Sequence, residues 1–106
     1  MTDELGGAKT TKINLGLNQI PGVALREIGA RFIKGEKNYG RDNWKLGDKT
    51  WRIERLDHAI NHLYNYRDGN TSDDTLIQNL AAVAWFCVIE IWHLSQEQMG
   101  KTDQLK

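Results

Sequence analysis

Residues 80–94 read LAAVAWFCVIEIWHL. Within them only Glu90 and His93 break the apolar run, so no polar stripe is left to face water. A helix without a polar face is buried on every side. Two partner helices from one short chain can hardly cover it. This stretch therefore predicts an all-α fold with three main helices per chain. Their four-helix-bundle-like core would be completed by homo-oligomerisation, as a dimer or tetramer. Cys87 lies in the most apolar part and reads as an inert buried thiol. Trp85 and Trp92, one heptad apart, read as core packing.

Working outward, Thr71, Ser72, Asp73 and Asp74 precede the run. They are N-cap and first-turn residue types, with the acids well placed for the helix dipole. The helix they start is expected to reach about Gln96, followed by a polar tail over residues 97–106 that frays. Upstream, Ile53, Leu56, Ile60 and Leu63 advance by 3, 4 and 3, the seam of a second helix. Gly69 suits its C-cap. Residues 40–50, GRDNWKLGDKT, form a polar connection with Trp44 buried in its middle. Before it, Ala24, Leu25, Ile28, Phe32 and Ile33 recur at helical spacing. That first helix would start at Pro21, whose fixed φ suits a first turn. Gly35 would weaken it and Gly40 stop it. Residues 1–20 read as a flexible arm with a short extended piece from Ile13 to Ile20. The expected organisation is thus an arm (1–20), a helical domain (21–96) and a tail (97–106).

The 106 residues carry 14 Lys+Arg and 14 Asp+Glu, a formal charge of zero. A neutral chain has no sequence-wide attraction for nucleic acid or an anionic membrane. The last helix is also too apolar to enter a DNA groove. The hydrophobic share of 40% supports a packed core rather than disorder. The strongly apolar stretch from Leu80 to Ile89 is about half the roughly twenty residues of a membrane span, so none is expected. MTDELGGAKTTK lacks the apolar segment of a signal peptide. One cysteine excludes an internal disulfide and a multi-cysteine zinc site. The expectation is a cytoplasmic protein.

The second helix carries the chemistry-bearing side chains. Glu54, Asp57, His58 and Asn61 fall within about a 100° arc, away from the apolar seam. Two carboxylates projecting together suit a hard cation such as Mg²⁺ or Mn²⁺, which would in turn hold phosphate oxygens. The competing reading is a solvated helix face with Glu54 and His58 as an ordinary i, i+4 pair. His58 and His62 have a spacing that can bind zinc, with His93 as a possible third ligand, or are simply two surface histidines. His62 lies off the acidic arc and is expected to point at a neighbouring helix or a substrate. Glu36, Lys37, Tyr39, Arg41, Asn43 and Trp44 cluster at the end of the first helix. Cations beside aromatic rings can take a triphosphate and a base; the alternative is a polar helix end with Trp44 plugging the core.

Residues 19–47, QIPGVALREIGARFIKGEKNYGRDNWKLG, resemble the opening of the small phage and bacterial dATP/dGTP diphosphohydrolases. These belong to the all-α, MazG-like nucleotide pyrophosphohydrolases. Ile20, Pro21, Ala24 and Leu25 match the family's start. Gly35, Lys37, Tyr39, Gly40, Asn43 and Trp44 match its central segment. His62 with Leu63, Asp74 with Thr75, and Leu80 with Ala81 fall on later motifs. The likeness covers roughly residues 12–95. Departures are Asn61 for the family's arginine, Leu76 for a glycine, Asn79 and Ala82 for two histidines, and Phe86 for an asparagine.

The resemblance implies a helical oligomer that cleaves a purine deoxynucleoside triphosphate to monophosphate and pyrophosphate. It implies Mg²⁺ (or Mn²⁺) on Glu36, Glu54, Asp57 and Asp74, with Glu54 and Asp57 central to catalysis. Lys37 and Arg41 would neutralise the phosphates, and Tyr39 or Trp44 would pack near the base. Asn43, His58, Asn61 and His62 complete the expected substrate-binding set. The lost histidines support a second expectation, a catalytically inactive helical phage accessory protein that binds a nucleotide or a protein.

Overall fold

The computed structural model describes residues 15–105, and side chains as far as Gly100. The first fourteen residues of the expected arm lie outside the described residues. The described chain is helical, with α1 at Gly22–Tyr39, α2 at Lys49–Asp68 and α3 at Leu76–Leu105. Short 3-10 turns stand at Leu17–Gln19 and Asn43–Lys45. Leu17–Gln19 therefore replaces part of the extended piece expected up to Ile20.

Pro21 caps α1 from outside, with φ −59° and ψ 135°, and its carbonyl accepts from the Ala24 amide at 3.0 Å. Gly40 ends the helix at φ 96°, a conformation that costs an L side chain dearly, and donates its N–H to the Glu36 carbonyl. Asp48 caps α2 by accepting from the Trp51 amide at 3.0 Å. Gly69, at φ 71°, closes α2 as expected, and Asn70 N–H reaches back to the Asn65 carbonyl at 2.8 Å.

The start of α3 differs from the expectation. Its cap is Thr75, not the Thr71–Asp74 run. Gln78 N–H donates to Thr75 Oγ1 at 3.0 Å, and Thr75 N–H donates to Gln78 Oε1 at 2.9 Å. This reciprocal box satisfies two amides at once, which a single acidic cap does not. Nor does α3 stop near Gln96; the polar residues after it continue the helix to Leu105.

Helix α3 is the hub. α1 and α2 each pack on it, and among the described residues they form no contact zone with one another. The early part of α2 meets the late part of α3 through Arg52, which bonds Glu90 in bidentate fashion (3.1 and 2.6 Å) and Glu97 (2.6 Å). The late part of α2 meets the start of α3 through His62 and Asn79, 2.9 Å apart, so the pair is antiparallel. On the other flank, Trp85, Phe32, Trp44 and Trp92 contact edge-to-face in sequence at 5.9, 5.5 and 5.2 Å. His93 Nε2 lies 3.0 Å from the Trp44 carbonyl. Trp44 is thus half-buried and pins the polar connection to α3, and Trp85 and Trp92 pack as expected.

The buried apolar core is small: Ala59, Ala81, Ala82 and Ile89. The α2 stripe turned toward α3 is Arg52, Arg55, Ala59 and His62, not the apolar seam. Ile53, Leu56, Ile60 and Leu63 are 42–56% exposed. Helix α3 is not buried on every side either. Ile77, Leu80, Ile91 and Leu94 are 41–66% exposed, and Cys87 is exposed with them. The reason is geometric, since two neighbouring helices in the chain cover only part of α3's circumference. By length and composition Leu76–Gly100 could cross a membrane, a stretch longer than the ten-residue run suggested. One such helix does not indicate a membrane, and Asn79 and His93, both buried and bonded within the chain, are features of a core helix.

Candidate functional site

Because α1 and α2 both lean on α3 without touching each other, a cavity of about 670 Å³ opens between them. The second half of α1 and the 40–44 connection form one wall, with Glu36, Tyr39, Arg41, Asn43 and Trp44. The opposite wall is α2, with Trp51, Glu54, Arg55, His58 and His62. Trp85 and Phe86 of α3 close the floor. Eight residues singled out from sequence therefore meet here: Glu36, Tyr39, Arg41, Asn43, Trp44, Glu54, His58 and His62. Lys37, Asp57 and Asn61 lie on exposed helix surface outside the lining.

Asp74 also stands apart from the lining. It lies 3.6 Å from Arg31 Nη1 and 3.7 Å from His62 Nδ1, with its side chain 16% exposed. Asp74 thus ties the α2–α3 link to α1 just behind the cavity wall. Among the described residues no three His, Cys, Asp or Glu side chains gather closely enough to hold a metal ion. Of the four expected carboxylates, two, Glu36 and Glu54, face the shared space. His93, the possible third zinc ligand, sits on the Trp44 carbonyl, outside the lining.

His62 has a defined orientation. Asn79, fully buried, donates its Nδ2 hydrogens to the carbonyls of Asp74 (3.2 Å) and Thr75 (3.0 Å). That assigns Oδ1 as the acceptor facing His62 Nδ1 at 2.9 Å. The ring must then carry its hydrogen on Nδ1, leaving Nε2 as the proton-accepting atom when neutral. Asn79, read from sequence only as a lost family histidine, is thus the residue that sets the tautomer.

Arg55 and Trp51 were missed. The Arg55 guanidinium lies 3.6 Å from the centroid of the Trp51 ring, a pair whose i, i+4 spacing was legible in the sequence. Arg55 is 9% exposed, and burial pushes its guanidinium below its ordinary value, with the nearby Glu90 acting in the opposite direction. Glu90 is itself taken up by Arg52, whose bidentate bond holds that carboxyl below its ordinary value and lifts the Arg52 guanidinium.

The cavity therefore offers three positive side chains (Arg31, Lys34, Arg41) and the covered Arg55 against the acids Glu36, Asp42 and Glu54, with two histidines between. Such a mixed surface can hold a polyanion at one end and position a water or a metal at the other. Neither a curated protein nor a solved structure matches the chain. A family model described as dATP/dGTP diphosphohydrolase, N-terminal, matches residues 3–104. With the match running through all three helices and both walls of the cavity, the chain belongs to the dATP/dGTP diphosphohydrolase N-terminal family.

Proposed function

We propose that the cavity binds a purine deoxynucleoside triphosphate and hydrolyses it to the monophosphate and pyrophosphate. The observation that carries this reading is the meeting of the 39–44 segment with Glu54, His58 and His62 across one cavity. The family description supplies the substrate class, for an N-terminal domain. The cavity volume is in the range that encloses a small ligand.

Glu36 and Glu54 are the carboxylates for Mg²⁺ or Mn²⁺. Two carboxylates are enough for such an ion when water and phosphate oxygens complete its shell. When bound, the ion would supply charge stabilisation on the phosphate chain. Asp57 and Asp74 are then not direct ligands within one copy of the chain. Arg41 and Lys34 neutralise the phosphates, and Tyr39, 72% exposed at the rim, is placed to stack on the base. His62 Nε2 takes the proton of the attacking water as the bond between the α- and β-phosphoryl groups breaks, and Asp74 beside Nδ1 stabilises the imidazolium.

The working form is a homo-oligomer. Ile53, Leu56, Ile60 and Leu63 on α2 follow a 3-4 pattern, and so do Ile77, Leu80, Ala84, Cys87, Ile91 and Leu94 on α3. Both rows include large side chains exposed in the single chain, and both lie off the cavity wall. Adjacent exposed seams of this kind are what a bundle of two copies buries.

The test is to incubate the purified protein with each common dNTP and NTP, with Mg²⁺ or Mn²⁺, and separate the products. Monophosphate plus pyrophosphate from purine deoxynucleotides, lost in Glu54→Gln with the helix content retained, is the expected result. A second reading, nucleotide binding without turnover, draws on the absence of a three-acid cluster among the described residues. Folded wild-type protein that binds dNTPs but converts none would select it.

A further inference from the structure

Among the described residues, three buried side-chain polar atoms lack a hydrogen-bond partner: Arg55 Nη1, Arg55 Nη2 and Trp85 Nε1. All three are donors, and both residues stand on the wall of the same cavity. A guanidinium does not give up its proton in a protein, so Arg55 keeps its charge there with Glu90 acting on it from nearby and no acceptor on its terminal nitrogens. Buried polar groups in native proteins are nearly always satisfied, and those that are not call for an explanation. Here the missing counterpart must be rich in acceptors, anionic, and able to enter from the cavity.

We propose that Arg55 and Trp85 Nε1 form an anion subsite for the phosphate chain of the nucleotide, with Trp51 as its movable cover. This deepens the proposed function and rests on it for the identity of the nucleotide. The Arg55 fork matches the geometry of phosphate oxygens, two of which it can hold side by side. Trp51 holds the guanidinium flat by stacking on one face. The terminal nitrogens are shielded from solvent, and the Trp51 ring, 39% exposed, is the group a ligand must turn aside to reach them. Among the described residues no carboxylate hydrogen-bonds those nitrogens; Glu90 and Glu97, two turns apart on α3, are both engaged by Arg52. The subsite shares its cavity with Glu54 and His62, so a phosphate bound here would lie in the same space as the groups assigned to the metal and to proton transfer.

The experiment uses inorganic tripolyphosphate, which carries the phosphate chain without a base, and measures its binding by calorimetry to the full chain. Wild type is compared with Arg55→Met, Arg55→Lys and Trp85→Phe, and thermal unfolding is recorded without ligand. Loss of a charge-assisted pair weakens binding roughly ten- to hundred-fold, so Arg55→Met should fall in that range and Arg55→Lys should recover only part of it. Without ligand, Arg55→Met should melt at or above the wild-type temperature, because it removes a buried charge with no acceptor on its terminal nitrogens. An arginine that only braces the fold would instead melt lower and leave binding intact. Equal tripolyphosphate binding by wild type and Arg55→Met overturns the subsite, whether or not the protein hydrolyses dNTPs. Failure of wild type to bind tripolyphosphate also overturns it. Arg55-dependent binding in a protein that hydrolyses no nucleotide would support the subsite and refute the proposed reaction instead.

Discussion

Replacing Asn79 with alanine tests the buried polar junction of α2 and α3. The side chain has no exposed surface and ends three hydrogen bonds, to the Asp74 and Thr75 carbonyls and to His62 Nδ1. The Thr75 carbonyl keeps the Asn79 backbone amide at 2.9 Å, so one of the two carbonyls stays paired. The Asp74 carbonyl and the His62 N–H lose a partner. Leaving a buried donor unmet costs about 1–3 kcal/mol, and the vacated volume adds to it. The expected loss is about 3 kcal/mol, which for a domain of this size lowers Tm by roughly 12–24 °C at fixed protein concentration. Thermal unfolding followed by far-UV circular dichroism measures it. Nitrogen-15 NMR of the histidine rings supplies a second readout, since the His62 Nδ1 resonance should shift when its acceptor at 2.9 Å is removed. A Tm drop under about 4 °C, with the His62 ring resonances unmoved, would refute the junction as described.

Three further outcomes follow from other parts of the fold. Gly47→Ala should lower stability by about 1–3 kcal/mol, because Gly47 sits at φ 108° and a Cβ there would overlap the Trp51 ring; an unchanged melting curve counts against that seat for Trp51. Glu90, held below its ordinary value of 4.5 by Arg52, contributes stability above pH 4.5 that is lost as pH falls through its lower folded value. With the carboxylate 42% exposed the contribution is under about 1 kcal/mol, and acid titrations of wild type and Glu90→Gln should differ by that amount above pH 4.5 and converge as pH falls through the lower folded value. Ile91→Asp should convert an oligomer to monomer in size-exclusion chromatography with light scattering. An isolated chain would tolerate this change at a residue 66% exposed to within about 0.5 kcal/mol.

Helical periodicity located three helices, and Gly40 and Gly69 marked two of their ends, because positive φ is a local demand that the sequence displays. What it could not say was which stripe of α2 faces α3. The apolar seam was the natural candidate, yet the chain turns Arg52, Arg55, Ala59 and His62 inward and leaves Ile53, Leu56, Ile60 and Leu63 outside. Hydrophobicity identifies surface that must be covered, not which neighbour covers it. The Thr75–Gln78 box was written in the sequence too, masked by four equally good capping residues just before it. For the site, the 39–44 segment and Glu54, His58 and His62 were legible from residue type and motif. Arg55 was not, since on a helix divided into apolar and acidic faces a cation between them looks like solvent-facing filler. Its interest comes from burial, which only the packing reveals. Asp74 was placed with the metal by its motif position, whereas Arg31 and His62 are its neighbours.

The position of Cys87 has a practical side. It is the chain's one thiol and it stands in the exposed row of α3, between Ala84 and Ile91. A lone chain presents it to any thiol reagent, whereas two copies meeting along that row would bury it. The rate at which a thiol dye labels the native protein, followed over a dilution series, thus becomes a built-in clock for assembly and disassembly, with no engineered probe and no competing cysteine to subtract.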